Sequence, residues 1–208
     1  APTRTIRYTN ITGTLDTNPA VNGYGQAGGV YANSGSNLLR SEVSGNTVSS
    51  NRAYGGGIMS KGTMRILSST ISENSASSQN AISVGGGIYQ GLRSLTIINA
   101  TIADNNAASG AGINASGTAT IDHATVTGNG TGIGIMSGGA LTLSNSVVVG
   151  NSRVNIDVSG ATSGGNNVIG TSSSFTALSS DVTGATAAAT FATTKTVNGI
   201  TSGVLADN

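Results

Sequence analysis

Two carboxylates stand in matching local contexts: Glu73 in Ile71-Ser72-Glu73-Asn74 and Asp104 in Ile102-Ala103-Asp104-Asn105. Neighbouring carboxyl groups can do general acid and base work on a glycoside, or hold a cation, and their repulsion raises one pKa. Sugar-cleaving sites of this type often add Arg or Lys on the same face. The positions equivalent to Glu73 and Asp104 hold only Gly45, Gly128 and Gly150. A bend that accepts Gly, Asp or Glu accounts for that row without chemistry. The one histidine, His123, follows Asp122 directly. Neighbours on a strand point to opposite faces, so a nucleophile-His-Asp triad is not implied. Thr70, Thr101 and Thr125 form a single file broken by Glu42 and Val147, which strand propensity explains better than an ice-binding face. Tyr31, Tyr89, Met59 and Met136 are expected to point outward, where the rings can stack on sugars or simply be ordinary surface. No helix follows the glycine-rich segments, so phosphate-loop readings fail.

These positions are equivalent because the chain repeats. Glycine-rich starts recur at Gly28-Gly29-Val30, Gly56-Gly57-Ile58, Gly86-Gly87-Ile88, Ala111-Gly112-Ile113 and Ile133-Gly134-Ile135. Each is followed by an aliphatic residue with Asn three positions later: Val43/Asn46, Ile71/Asn74, Ile102/Asn105, Val126/Asn129 and Val148/Asn151. Five residues before each of those stands a further aliphatic: Leu38, Ile66, Ile97, Ile121 and Leu143. The step from start to second aliphatic is constant except from Ile88 to Ile102, where one more residue implies a bulge or longer turn. The segment after each Asn is elastic, so insertions project from one edge. Ile6, Ile11 and Thr14 mark an earlier, degenerate unit.

Alternation as in Leu95-Thr96-Ile97 indicates strands. A spacing of five places two aliphatics on opposite faces of a straight strand, so a bend must lie between them. Three short strands per turn of chain follow, stacked as a parallel β-solenoid. A residue then sits above its equivalent about 4.8 Å away. Asn46, Asn74, Asn105, Asn129 and Asn151 are expected to form a structural ladder, each amide donating to one neighbour and accepting from the other. Small residues at Ser41, Ser69, Ala100, Ala124 and Ser146 are expected to point inward.

Composition agrees. Among 208 residues, aromatics are 3% and charged residues 8%, with 32 Gly, no Cys, no Trp and a net charge of +1. Ile, Val, Leu and Ala must fill a narrow interior. The nine Lys and Arg form no basic run in the sequence, which argues against a nucleic-acid binder. No disulfide framework exists, and no apolar run reaches membrane-spanning length. The Ala1-Pro2-Thr3 start is compatible with a processed or trimmed terminus.

The paired motifs resemble the repeats of polymorphic outer-membrane proteins. Gly85-Gly86-Gly87-Ile88-Tyr89 and Thr101-Ile102-Ala103-Asp104-Asn105 also resemble bacterial surface β-helix proteins of the choice-of-anchor Q type. Thr162 to Gly170 is similar to the segment after that group's last regular coil, and Val204-Leu205-Ala206-Asp207-Asn208 to the start of a motif that continues into Gly-Gly. The resemblance implies a right-handed parallel β-helix, export and surface display, and no catalytic residues.

The expected architecture is all-β: about six coils over 1–170, then an irregular Ser/Thr/Ala-rich flank or cap over 171–208. The expected function is a secreted or cell-surface, noncatalytic structural or adhesive module without cofactor or metal. A carbohydrate-active enzyme using Glu73 and Asp104 is the alternative. Expected partners are a host or matrix glycan or protein, and further copies stacked end to end as an oligomer or filament; nucleic acid is not expected.

Overall fold

The computed structural model describes residues 4–13, 15–16, 24–131, 134–158, 160–172, 175–197 and 200–205. Thr14, Ile133 and residues 206–208, used in the sequence reading, lie outside them. The chain winds into eight stacked coils. One sheet contains Arg4–Arg7, Ser36–Leu39, Met64–Leu67, Leu95–Ile98, Ala119–Asp122, Leu141–Ser144, Ala161–Gly165 and Phe175–Thr176. A second contains Asn10–Thr12, Glu42–Ser44, Thr70–Ser72, Thr101–Ala103, Thr125–Thr127, Val147–Val149, Val168–Ile169 and Val182–Thr183. A third runs through Val30–Ala32, Ile58–Ser60, Ile88–Gln90, Ile113–Ala115, Ile135–Ser137 and Ile156–Val158. All pairings in these three sheets are parallel and put equivalent repeat positions side by side, as Ile66↔Ile97 and Ile71↔Ile102 do.

The elastic segment forms a fourth, lateral sheet in the early coils. Ser75–Val84 pairs with Thr47–Tyr54, and its register shifts between Ser78 and Ile82, where the insertion is absorbed. The additional residue between Ile88 and Ile102 sits in the turn over 91–94, so the strands on either side keep register without a bulge.

Left-handed backbone makes the corners. Between the first and second sheets, Tyr8, Arg40, Ser68, Asn99, His123, Asn145 and Asn166 have φ from +48° to +58°. After the second sheet, Gly13, Gly45, Glu73, Asp104, Gly128, Gly150 and Gly184 have φ from +56° to +71°. A single left-handed residue turns the chain and resets the alternation, so aliphatics five apart both face inward. Ala costs more in this conformation than Gly or Asn, which explains the polar and glycine-rich corners.

The interior consists of self-stacked columns. Leu38, Ile66, Ile97, Ile121 and Leu143 are fully buried, as are Val43, Ile71, Ile102, Val126 and Val148. Truncating one such residue to Ala removes contacts to the coils on both sides, at a cost of about 2–5 kcal/mol.

Stacking runs past Gly170, beyond the expected boundary and the expected six coils. Phe175–Thr176 pairs with Ala161–Thr162, and Val182–Thr183 with Val168–Ile169. The pattern was hidden because Ser163 stands under Leu143 and Thr183 under Ile169, where aliphatics had marked the repeat. A short helix, Ala187–Thr190, follows, with the Thr186 hydroxyl accepting from the Ala189 N–H at its N-cap. Ala187 lies against Gly150 of the sixth coil. An antiparallel hairpin, Phe191–Val197 with Ile200–Leu205, ends the described chain, with Phe191 buried.

Candidate functional site

The longest polar feature is internal. Asn74 Nδ2 donates to Asn105 Oδ1 at 3.0 Å and to the Val43 carbonyl at 2.8 Å, while its backbone N–H donates to the same Oδ1 at 3.1 Å. The pattern repeats from Asn46 through Asn105 and Asn129 to Asn151. It continues to Asn155, whose Oδ1 accepts from Asn151 Nδ2 at 2.8 Å. Asn155 was not legible as a rung because it stands four residues from Asn151 instead of one coil away. A second internal column serves the first corner: Ser41 N–H donates to Ser69 Oγ, Ser146 N–H to Asn167 Oδ1, and Asn167 N–H to Asp181 Oδ1. Each amide is satisfied away from water, so these columns hold the coils and leave no group aimed at a ligand.

Glu73 and Asp104 occupy successive rungs of the second corner, with the Glu73 N–H donating to the Ala103 carbonyl. Both are left-handed, at φ +56° and +57°. Glu73 is exposed, whereas Asp104 is half-buried and its Oδ1, shielded from water, has no hydrogen-bond partner. That oxygen lies over Gly128, in space a Cβ there would occupy. Burial, and secondarily the charge of Glu73, pushes the Asp104 carboxyl up to about 6. The pair thus sets an exposed acidic side chain beside a shielded carboxyl whose pKa is raised. Among the described residues, no group of three or more His, Cys, Asp or Glu converges as a metal site.

The first corner carries a different constellation. His123 sits at a left-handed turn, not within a strand, so its ring folds back toward its neighbour: Nδ1 lies 2.9 Å from Asp122 Oδ2. The expectation that these two diverge is corrected by that turn. Asn145 Nδ2, Ser144 Oγ and His123 all hydrogen-bond to Asp122 and hold its carboxyl down near 2. Among the described residues, no hydroxyl is hydrogen-bonded to His123 Nε2, so the Asp-His pair orients the ring without completing a triad.

Two hollows open along this corner. One, of about 320 Å³, is lined by Arg7, Tyr8, Leu39, Arg40, Leu67 and Ser68. The next, of about 370 Å³, is lined by Ser68, Thr70, Asn99, Thr101, His123 and Thr125 among others. Ser68 borders both. Arg40 Nη1 donates to the Tyr8 hydroxyl at 2.7 Å, and its guanidinium lies 5.8 Å from the centre of the Tyr8 ring. The Tyr8–Arg40 pair escaped the sequence reading because Tyr8 belongs to the degenerate first coil.

Of the four residues expected outward on the third sheet, Tyr31 is exposed and Tyr89 and Met136 are half-buried, but Met59 is 4% exposed. Met59 is flanked in register by Tyr31 and Tyr89, and the lateral sheet brings Tyr54 to 5.1 Å from the Tyr89 ring. Tyr24 stacks on Tyr54, and Arg52 lies over Tyr24.

Compared with known proteins, residues 4–176 match the family model described as a right-handed beta helix region. A search of curated proteins returns no match, and a search of solved structures returns none. Among the described residues, no helix is long and apolar enough to cross a membrane.

Proposed function

The chain belongs to the right-handed β-helix family, and we propose that within it the protein serves as an extracellular, noncatalytic structural or adhesive module, related to the choice-of-anchor or polymorphic outer-membrane type of surface solenoid. One observation carries the reading. Glu73 and Asp104, the stacked carboxylate pair, stand at corner positions that left-handed glycine fills in five other coils, at Gly13, Gly45, Gly128, Gly150 and Gly184, which supports a conformational role. End-to-end assembly belongs to the same reading. Ile6 and Ile11 of the first described coil are only partly buried, and Leu178 and Val182 of the last are exposed. A second copy stacked on either end removes such surface from water. Sedimentation across a concentration series tests this part: a monodisperse monomer at high concentration refutes it.

A second reading has one observation in its favour. Asp104, raised to about 6 by burial beside the exposed Glu73, is shifted in the direction a general acid needs. A panel of polysaccharides, assayed for chain cleavage with and without calcium, separates the two. The noncatalytic reading expects no turnover. Cleavage abolished by Glu73→Gln or Asp104→Asn overturns it in favour of a carbohydrate-active enzyme.

A further inference from the structure

We infer that the outward face shared by the lateral and third sheets in the first three coils docks on an anionic lipid surface. Its tyrosines and Leu92 enter the headgroup layer, while Arg52, Lys61 and Arg93 meet lipid phosphates. The inference rests on the noncatalytic, adhesive reading and names the partner for it.

Charge and aromatic residues are sorted along the stack. Seven of the nine Lys and Arg and three of the eight Asp and Glu fall in residues 1–100, against two and five beyond. All five Tyr lie between Tyr8 and Tyr89. The early coils are basic and aromatic and the later coils acidic, a polarity that orients the rod over a negative surface.

Within the early coils these residues gather on one side. Arg52 Nη1 donates to the Tyr24 hydroxyl at 2.7 Å, Tyr24 stacks on Tyr54, and the Tyr54 ring stands 5.1 Å from that of Tyr89. Tyr89 and Tyr31 flank Met59 in register, and Lys61 Nζ lies 5.6 Å from the centre of the Tyr31 ring. The turn over 91–94 stacks on Lys61, with the Gly91 N–H donating to the Ser60 carbonyl. In that turn Leu92 is 85% exposed, beside the exposed Arg93. Ile82, also exposed, pairs in register with Arg52. Tyrosine joins an apolar ring to a polar tip, and Arg and Lys join an apolar stem to a charged head; both designs settle at a headgroup boundary. Seating Leu92 in that boundary removes an apolar side chain from water.

The acids of the early coils lie elsewhere. Glu42 and Glu73 belong to the second sheet and its corner, and Asp16 pairs with Val48, near the opposite end of Thr47–Tyr54 from Arg52. A compact ligand needs a concave site, but the two hollows open at the first corner and none of these tyrosines lines them. Nucleic acid fits less well than lipid, because its affinity depends on cations tracking successive phosphates. Here Arg52 and Lys61 are each set against a separate tyrosine, with aromatic surface between them.

The test mixes the full chain with vesicles of phosphatidylcholine alone and of equal parts phosphatidylcholine and phosphatidylglycerol, and reads partition by co-sedimentation. Partition onto the anionic vesicles should be about tenfold stronger or more, and should weaken as salt is raised. Arg52→Gln and Lys61→Gln should each reduce it about fivefold. Arg153→Gln, the same charge change at an exposed position of the sixth coil, should leave it unchanged. The chain has no Trp, so Leu92→Trp supplies a single reporter. Its emission should shift to the blue on anionic vesicles, whereas that of Leu178→Trp, at an exposed site of the last coil, should not. Melting temperatures of all variants confirm folding. Equal partition onto both vesicles, an equal loss in Arg153→Gln, or an unshifted Leu92→Trp overturns the inference. Competition by inorganic phosphate, polyphosphate or DNA at equal phosphate also overturns it, by assigning the face to a soluble anion. Cleavage in the polysaccharide panel overturns the noncatalytic reading and is read apart from vesicle binding, so the two failures are distinct.

Discussion

A Cβ built on Gly87 would stand 2.9 Å from Nδ2 and from Cγ of Asn105. Gly29 bears the same relation to Asn46, Gly57 to Asn74, Gly112 to Asn129, and Gly134 to Asn151. The glycine-rich start and the aliphatic-x-x-Asn end are therefore one device: the missing side chain makes room for the ladder amide, which locks the coils together. Gly87→Ala should destabilise by about 1–3 kcal/mol, because the methyl also meets the Gly112 carbonyl at 2.7 Å and neither partner is the end of a flexible chain. Gly160→Ala, with nothing within 4 Å, is the control. Denaturant midpoints check both; equal midpoints for the two variants refute the steric account.

Asn105→Leu tests the ladder from its other side. The substitution removes the acceptor for the Asn74 N–H and Nδ2 and the donor to the Ile71 carbonyl, all buried. An unsatisfied buried group costs on the order of 1–3 kcal/mol. The melting temperature should fall by several degrees even though Leu is the more apolar side chain. An unchanged melt would sink the ladder argument.

Asp104 gives the protein a pH signature. Its folded pKa is raised from 3.8 to about 6, so the folded chain holds the proton more tightly than the unfolded chain between those values. Stability should fall as pH rises through that window. Because the group is half-exposed, solvent screening reduces the effect to on the order of 1 kcal/mol. Asp104→Asn, neutral throughout, should be more stable than the parent at pH 7.5 and lose that advantage at pH 4. Melting curves across the range check it. A difference between the two proteins that does not vary with pH places the carboxyl in ordinary solvent.

The columns were legible because each coil repeats its neighbour, so aliphatics and Asn at fixed spacing report the same contact several times over. Shape-breaking positions were not. Ser163 and Asn167 continue the stack with different side chains, and Asn155 carries the ladder amide at a different spacing, so coils seven and eight did not stand out as repeats. At the first corner, alternation was carried one residue too far: His123 is left-handed, and its ring meets Asp122 instead of opposing it. Glu73 and Asp104 were correctly seen as neighbours. What differs between them, an exposed carboxylate against a shielded one, depends on the Gly128 floor beneath Asp104, which spacing alone does not reveal.

Asp181 should act as the fastener of the last two coils. Its Oδ2 accepts from Ser163 Oγ at 2.6 Å and from the Leu178 N–H at 2.7 Å, and its Oδ1 accepts from the Asn167 N–H and Nδ2. Burial pushes its pKa up, but these hydrogen bonds outweigh that and hold it below the ordinary carboxylate value. A depressed folded pKa means stability that is present above the unfolded value and lost as pH falls through the folded one. Asp181→Ala leaves those donors without their acceptor. In a solenoid, where each coil contacts only its neighbours, the loss should stay local. Hydrogen exchange should therefore quicken over residues 163–185 by about tenfold or more, while Ile66, Ile71 and Ile97 keep their protection. The acid-side loss of protection in the same segment should disappear in this variant. Exchange that quickens evenly along the whole stack would show that Asp181 contributes to global stability and not to a terminal fastening.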